Sequence, residues 1–196
     1  MCAELNTPYS LYKLGTLILE EKVKSINGKP ILEEEKYQIA SDFFKKSKSE
    51  PASLCEFASL VYEGKIKKDL KGEPILEGQQ YEVAADLYRQ SKSIISSLHN
   101  LGVLIEAGLI KQDINMEPIL EGQQYEVCAN LFRQARRPRS LYSLGLLIEN
   151  GLINHDLNME PILEGQRYEV AADLYRESKT ISALNGIACL IWENKI

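Results

Sequence analysis

Histidine and cysteine, the residues that most often carry chemistry, are scarce in this chain of 196 residues, which has two histidines and four cysteines. Neither His99 nor His155 has a serine, cysteine or carboxylate at a motif-like spacing, which a nucleophile–histidine pair would need. The sequence therefore predicts a protein that is not an enzyme and that uses no cofactor or metal. A hydrolase built on the same scaffold stays open as an alternative.

The cysteines are Cys2, Cys55, Cys128 and Cys189. A disulfide framework would recur in register with the internal repeat described below, and these residues fall at different places in it. Cys128, for example, stands where Ala84 and Ala171 stand in other repeats. We expect free thiols in small apolar positions, and hence a reducing compartment such as the cytoplasm. The N-terminus has no secretory signal, and secretion into a host cell is left open.

Two acidic runs resemble the start of a calcium-binding loop: Asp113-x-Asn115-x-Glu117 and Asp156-x-Asn158-x-Glu160. Both lack the glycine at position six and the glutamate at position twelve of such a loop. Aspartate and asparagine also favour tight turns. We therefore interpret the runs as turns without metal.

The densest basic cluster is formed by Arg133, Arg136, Arg137 and Arg139. It is interpreted as a solvated helix end, with an acidic or phosphate-bearing partner as the alternative. The net charge of -5 argues against nucleic-acid binding. No apolar run approaches the roughly 20 residues of a membrane-spanning helix, so no membrane insertion is expected.

The positions of all these residues are set by an internal repeat. The phrase Pro-Ile-Leu-Glu begins at Pro30, Pro74, Pro118 and Pro161, at intervals of 44, 44 and 43 residues. Such a period is typical of stacked supersecondary units. We divide the chain, as a single domain over 1–196, into repeats at about 7–50, 51–93, 94–137 and 138–180, with a half-repeat at 181–196.

Each repeat is predicted to contain two helices. In the first, apolar residues recur at i, i+3, i+6 and i+7, with Pro51 or Pro138 at the start and a glycine such as Gly151 at the end. The second recurs as Tyr81-Glu82-Val83-Ala84-Ala85-Asp86-Leu87-Tyr88-Arg89 and has two apolar faces. This pattern predicts antiparallel helix pairs stacked on one another.

A small residue recurs inside the first helix, at Gly15, Ala58, Gly102, Gly145 and Ala188. Because a glycine there costs about 1 kcal/mol against alanine, we expect a close helix–helix approach. The second-helix positions Ala40, Ala84, Cys128 and Ala171 are expected to face it. The long segment between the helices is expected to form an irregular, hairpin-like loop, pinned over the pair by its Ile and Leu.

The pattern resembles the Sel-1-like repeat, a relative of the tetratricopeptide repeat. The resemblance is carried by Ser140-x-x-x-Leu144-Gly145-x-x-x-x-x-Gly151 and Tyr168-x-x-Ala171-x-x-Leu174-Tyr175-Arg176, and it covers the chain from about residue 7. Serine replaces the family's first alanine, and the inter-helix loop is lengthened. The resemblance implies a right-handed α-solenoid that serves as an adaptor or scaffold; bacterial members are often linked to host interaction.

Function is sought at first-helix positions that differ between repeats, since first helices usually line the concave face of such solenoids. The candidates are Tyr12, Lys13, Glu56, Tyr62, His99, Asn100, Glu106, Tyr142, Ser143, Glu149, Asn185 and Trp192. They predict a non-enzymatic scaffold that binds a protein or peptide segment on this face. A structural spacer or oligomerisation module is the other alternative, and the oligomeric state stays open.

Overall fold

The computed structural model describes residues 7–163 and 165–196, so the expectations for Cys2 and the N-terminus lie outside the described residues. The helices are α1 Pro8–Leu19, α2 Lys36–Lys46, α3 Pro51–Tyr62, α4 Gln80–Gln90, α5 Ile95–Glu106, α6 Gln124–Ala135, α7 Pro138–Glu149, α8 Arg167–Ser178 and α9 Ile181–Trp192. The odd-numbered helices are the first helices of the repeats, and the even-numbered ones are the second helices. None of the helices in the described ranges is both long and apolar enough to cross a membrane.

The chain forms two compact units, Met1–Ser97 and Leu98–Ile196, and the boundary falls within α5. In the first unit α1 packs on α2, α2 on α3 and α3 on α4. In the second unit α6 packs on α7, α7 on α8 and α8 on α9. The prediction of a mainly helical chain with packed consecutive helices is therefore confirmed. The right-handed solenoid and the single domain stay predictions.

The helix boundaries follow the turn chemistry of the sequence. Proline occupies the first turn of α1, α3 and α7, where its missing N–H breaks no helical hydrogen bond. Gly64, Gly108 and Gly151 follow α3, α5 and α7 with φ of 67°, 67° and 68°. Glycine adopts this left-handed conformation without strain, and it ends these helices as predicted.

The small position of the first helix meets an aromatic ring, so the prediction that small residues would face it is wrong. A Cβ added to Gly145 would lie 2.5 Å from Cε1 of Tyr175, and one added to Gly102 would lie 2.6 Å from Cε1 of Phe132. Both rings are fully buried. The residue predicted to fill this space lies one helical turn earlier, because the ring reaches back over it toward the neighbouring helix.

The inter-helix loops are hairpin-like, as predicted, and the first contains a short β-hairpin. In the first repeat β1 (Ser25–Ile26) pairs with β2 (Lys29–Pro30), and the three later loops each have a single antiparallel bridge to the proline of Pro-Ile-Leu-Glu. Asn27 and Gly28 both have positive φ, as a tight hairpin turn requires.

The prediction that isoleucine and leucine pin the loop holds for the isoleucines, since Ile66, Ile110 and Ile153 are buried, but not for the leucines of Pro-Ile-Leu-Glu. Leu76 and Leu120 are each 62 % exposed, whereas Ile75 and Ile119 are half-buried. The leucine contacts the second helix through its backbone carbonyl. This carbonyl accepts a hydrogen bond from the residue three positions later, at the start of that helix, as in Gln79 N–H to Leu76 O at 3.0 Å.

Candidate functional site

Within each unit, neighbouring first helices place polar side chains close together. In the first unit burial raises the pKa of Glu56 on α3, and the negative charges of Glu63 and Glu20 raise it further. Glu20 caps the end of α1, so the end of α1 lies near enough to Glu56 for the two charges to interact. In the second unit His99 on α5 contacts Ser140 on α7. Glu56 and His99 are thus the candidates for which an interaction with a neighbouring first helix is seen.

Three of the candidates at one repeat position support the packing of the helix pair. The rings of Tyr12, His99 and Tyr142 lie 6.3, 5.6 and 5.5 Å from the buried aromatic ring of the following second helix. All three are half-buried. Aromatic contacts at these distances stabilise packing, so these side chains have a structural role in addition to any partner contact.

An exposed aromatic and basic group lies on α1. The Lys13 ammonium lies 5.4 Å from the ring centre of Tyr9 and 5.5 Å from that of Tyr12. Of these three residues Tyr9 and Lys13 are exposed, Tyr9 by 58 %, and Tyr12 is half-buried. Tyr9 is not among the residues predicted from the sequence, because it precedes the varying first-helix positions. Tyr62 at the end of α3 is 38 % exposed, and its ring lies 6.1 Å from Tyr81 at the start of α4.

Glutamates occupy the last turn of two first helices in the second unit. Glu149 on α7 accepts a hydrogen bond from the Tyr175 hydroxyl at 2.5 Å. Glu106 is its equivalent on α5, where the second-helix aromatic is Phe132 and has no hydroxyl to donate. Burial raises the pKa of Glu106 above its ordinary value.

His99 forms the one serine–histidine contact in the described part of the chain, with Ser140 Oγ 3.0 Å from His99 Nδ1. Ser140 is fully buried. Burial, followed by the positive charges of Arg139 and Arg137, lowers the pKa of His99 to about 4. The imidazole is therefore neutral at neutral pH, and substrate has no access to the serine oxygen.

The contact replaces a serine pair found at earlier repeat junctions. Ser47 and Ser53 lie 2.7 Å apart, and Ser91 and Ser97 lie 2.8 Å apart. At the next junction Ala135 takes the place of the first serine, and the histidine provides the partner for Ser140. A comparison of the repeats at this one position would have indicated the missing partner.

The remaining candidates differ in exposure. Asn100 and Ser143 are half-buried, and Asn185 is exposed on α9. The α9 residue equivalent to Asn100 and Ser143 is Gly186. It faces the preceding second helix, since an added Cβ would lie 2.9 Å from Cε2 of Tyr175. Trp192 is 90 % exposed, more than any other large hydrophobic residue in the described ranges.

Arg133 belongs to the interior rather than to a solvated basic cluster. Its side chain is 7 % exposed and donates to two backbone carbonyls of the following loop, from Nη2 to His155 O at 2.8 Å and from Nε to Asp156 O at 2.9 Å. Arg136, Arg137 and Arg139 are exposed, as the interpretation of a solvated helix end predicts. His155 Nδ1 lies 3.7 Å from Oε1 of Glu126 on α6.

The acidic runs are turns, as predicted. Asp113 Oδ1 accepts from the backbone N–H groups of Asn115 and Glu117 at 2.8 and 2.9 Å, and Asp156 makes the same pair of bonds. Within the described ranges, no group of three or more His, Cys, Asp or Glu is arranged to hold a metal ion.

The described cysteines are free thiols, as predicted. Cys55 and Cys128 are buried and Cys189 is exposed. Burial raises the pKa of the Cys128 thiol to about 12, which keeps it protonated and unreactive.

No protein-family model matches the chain, and no curated protein matches its sequence.

Proposed function

We propose that the chain is a non-enzymatic protein-interaction scaffold whose first helices bind a segment of a partner protein. The observation that carries the proposal is the repeated helix frame, whose first helices present polar and aromatic side chains that change from repeat to repeat. A frame that is constant in its packing and variable on one surface suits recognition of a partner. The resemblance to Sel-1-like repeats, and with it the right-handed solenoid and concave face, is part of this proposal.

The acidic residues around Glu56 favour a basic partner segment. Burial raises the pKa of Glu56, and the exposed Glu63 and Glu20 raise it further by charge repulsion, although Lys22 already pairs with Glu20 at 2.8 Å. A lysine or arginine side chain placed there would relieve that repulsion, and the exposed rings of Tyr9 and Tyr62 add contact area. The free thiols support a reducing compartment as the place of this interaction.

The arrangement of the one serine–histidine contact supports a non-enzymatic role. A nucleophilic serine must reach its substrate, and Ser140 is fully buried. The histidine continues a series of junction bonds that serines make in the earlier repeats. This contact therefore does not support the hydrolase alternative.

The proposal is tested by selecting peptides from a random displayed library on the intact chain. Enriched lysine- and arginine-bearing peptides are expected to lose about tenfold or more in affinity for the double variant Glu20→Lys/Glu63→Lys. The matched control is Glu73→Lys/Glu77→Lys, which changes the net charge equally on an exposed loop of the same unit. No enrichment, or equal losses for both variants, contradicts the proposal and favours a spacer.

A further inference from the structure

A pocket recurs in the first two repeats, between the end of the first helix, the loop and the start of the second helix. In the second repeat its volume is 320 Å³, and we call it the loop pocket. Its apolar wall is formed by Val61, Ile66, Ile75 and Leu76, and its polar lining includes Glu77 and Gln80. The pocket of the first repeat measures 170 Å³ and is lined by equivalent residues. Each pocket is formed within one repeat, by the residues of a single helix pair.

In the first repeat a lysine of the chain occupies part of this space. Lys36 begins α2, lines the pocket, and has a side chain that is 11 % exposed. Its Nζ pairs with Glu33 at 2.5 Å and with Glu21 at 2.9 Å, and it lies 5.2 Å from the ring centre of Tyr37. The first repeat therefore shows how the pocket encloses an aliphatic stem while carboxylates hold its ammonium.

In the fourth repeat an arginine takes the same place. Arg167 stands at the repeat position of Lys36, and its guanidinium lies 5.2 Å from the ring centre of Tyr168 and against Gly151. Gly64 is the equivalent of Gly151 in the second repeat, and a Cβ added there would meet nothing within 4 Å. A cation of the chain thus occupies this space in two repeats, whereas the space is open in the second.

The second repeat lacks the cation but keeps its counter-charge. Gln80 stands at the repeat position of Lys36, and its amide oxygen accepts a hydrogen bond from the Gly78 N–H at 2.9 Å. Glu77 stands at the position of Glu33 and, among the described residues, forms no ion pair. The loop pocket therefore combines an apolar wall with an exposed carboxylate and has no cation at the position that Lys36 takes in the first repeat.

We propose that the loop pocket binds a lysine side chain of a partner protein, with its stem on the apolar wall and its ammonium on Glu77. The inference rests on the proposed function, since the lysine belongs to the partner segment. The aliphatic stem fits a wall that receives the stem of Lys36 in the first repeat. The C-terminal end of α3 at Gly64 adds a negative partial charge. Lys67 also lines the pocket, but its equivalent Lys24 lines the first-repeat pocket beside Lys36, so two lysines fit there.

The probe is the peptide acetyl-Gly-Lys-Gly-amide, titrated into the intact protein, and the control peptide has norleucine in place of lysine. NMR of isoleucine methyl groups reports the pocket through Ile66 and Ile75, which line it. The lysine peptide is expected to shift both methyl signals saturably, with a Kd on the order of millimolar for a single side chain. Norleucine has a similar stem without the charge, and its peptide is expected to bind about two- to fivefold more weakly.

Three variants test the geometry. Gln80→Lys supplies the pocket with a lysine of the chain itself, as Lys36 does in the first repeat, and is expected to abolish the methyl shifts that the peptide causes. Gln124→Lys, the same change at the equivalent position of the third repeat, is the matched control and is expected to leave them unchanged. Glu77→Gln is expected to bind the lysine and norleucine peptides equally, because it removes the charge and keeps the shape of the side chain.

Three outcomes overturn the proposal. The first is the absence of a saturable shift at Ile66 and Ile75, and the second is equal binding of the lysine and norleucine peptides by the native chain. The third is an undiminished shift in Gln80→Lys. The titration reads the pocket directly, so its failure is distinct from a failed library selection on the first helices. Selected peptides that occupy the loop pocket are expected to lose more affinity for Glu73→Lys/Glu77→Lys than for Glu20→Lys/Glu63→Lys, the reverse of the first-helix pattern.

Discussion

At the scale of single residues, the junction serines explain why a histidine is partly buried in this chain. Ser140 is enclosed and needs a hydrogen-bond partner, and Ala135 removes the serine that would supply it. His99 supplies the bond from the preceding first helix, at the cost of being harder to protonate. The residue that most suggests catalysis by its type thus completes a structural hydrogen bond.

Protonation of His99 makes the stability of the protein depend on pH. Its pKa is lowered to about 4 from an ordinary value of 6.5, so between these values the unfolded chain binds a proton that the folded chain does not. Stability is therefore expected to fall as the pH drops from about 6.5 to about 4. Because the ring is partly exposed, the loss is about 1–2 kcal/mol.

The measurement is urea unfolding across this pH range for the native chain and the His99→Gln variant. In the variant, the free energy of unfolding is expected to depend less on pH over this range, whatever its absolute value. His155→Gln serves as the control and is expected to keep the slope. Parallel pH profiles for the native chain and His99→Gln would show the prediction to be wrong.

A hydroxyl added to Phe132 tests the equivalence of two repeats. Tyr175 donates to Glu149, whereas in the repeat of the equivalent Glu106 the second-helix aromatic is Phe132, and burial raises the pKa of Glu106. Phe132→Tyr is expected to donate a hydrogen bond to the Glu106 carboxylate and to lower the pKa of Glu106. NMR titration of the carboxyl carbon measures the pKa of Glu106. Tyr175→Phe is the control and is expected to leave that pKa unchanged. An unmoved Glu106 titration in Phe132→Tyr contradicts the equivalence.

At the scale of helices and loops, much of the architecture could be predicted because local chemistry sets it. The prolines that begin helices and the glycines that end them act within a few residues, and they lie where the pattern indicates. Side-chain direction between helices was predicted less well. The ring of Tyr175 reaches Gly145 across the helix pair, and Leu120 turns outward from its loop. Both depend on tertiary packing, which spacing along the chain does not report.

The tie between a second helix and the following loop is an element-scale contact that sequence comparison could not show. Arg133 and Arg176 are equivalent in sequence, yet only Arg133 is buried against loop carbonyls. Arg133→Ala is expected to destabilise the chain by about 2–4 kcal/mol. It removes the packed arginine side chain and leaves the two loop carbonyls without their hydrogen-bond donor. Arg176→Ala is expected to cost less than about 0.5 kcal/mol. Chemical unfolding of the two variants measures the difference, and equal effects would contradict it.

At the scale of the whole molecule, the packing is between helices adjacent in sequence, from α1 to α4 in one unit and from α6 to α9 in the other. In such arrays each helix is stabilised only by its neighbours, so a local defect is expected to affect the adjacent helices and not the distant ones. The proposed scaffold function is compatible with this property, because side chains in one unit could change without loss of packing in the other.

Truncation of a core leucine in each unit tests this locality. Leu144 on α7 and Leu60 on α3 are 0 and 4 % exposed, and replacing either with alanine is expected to cost about 2–5 kcal/mol. Hydrogen exchange measured by mass spectrometry is expected to rise across α6 to α9 in Leu144→Ala while α1 to α3 keep their protection. Leu60→Ala is expected to give the reverse pattern. A uniform rise over both units in either variant would instead indicate one cooperative domain, as the sequence alone predicts, because every helix would then open in the same event.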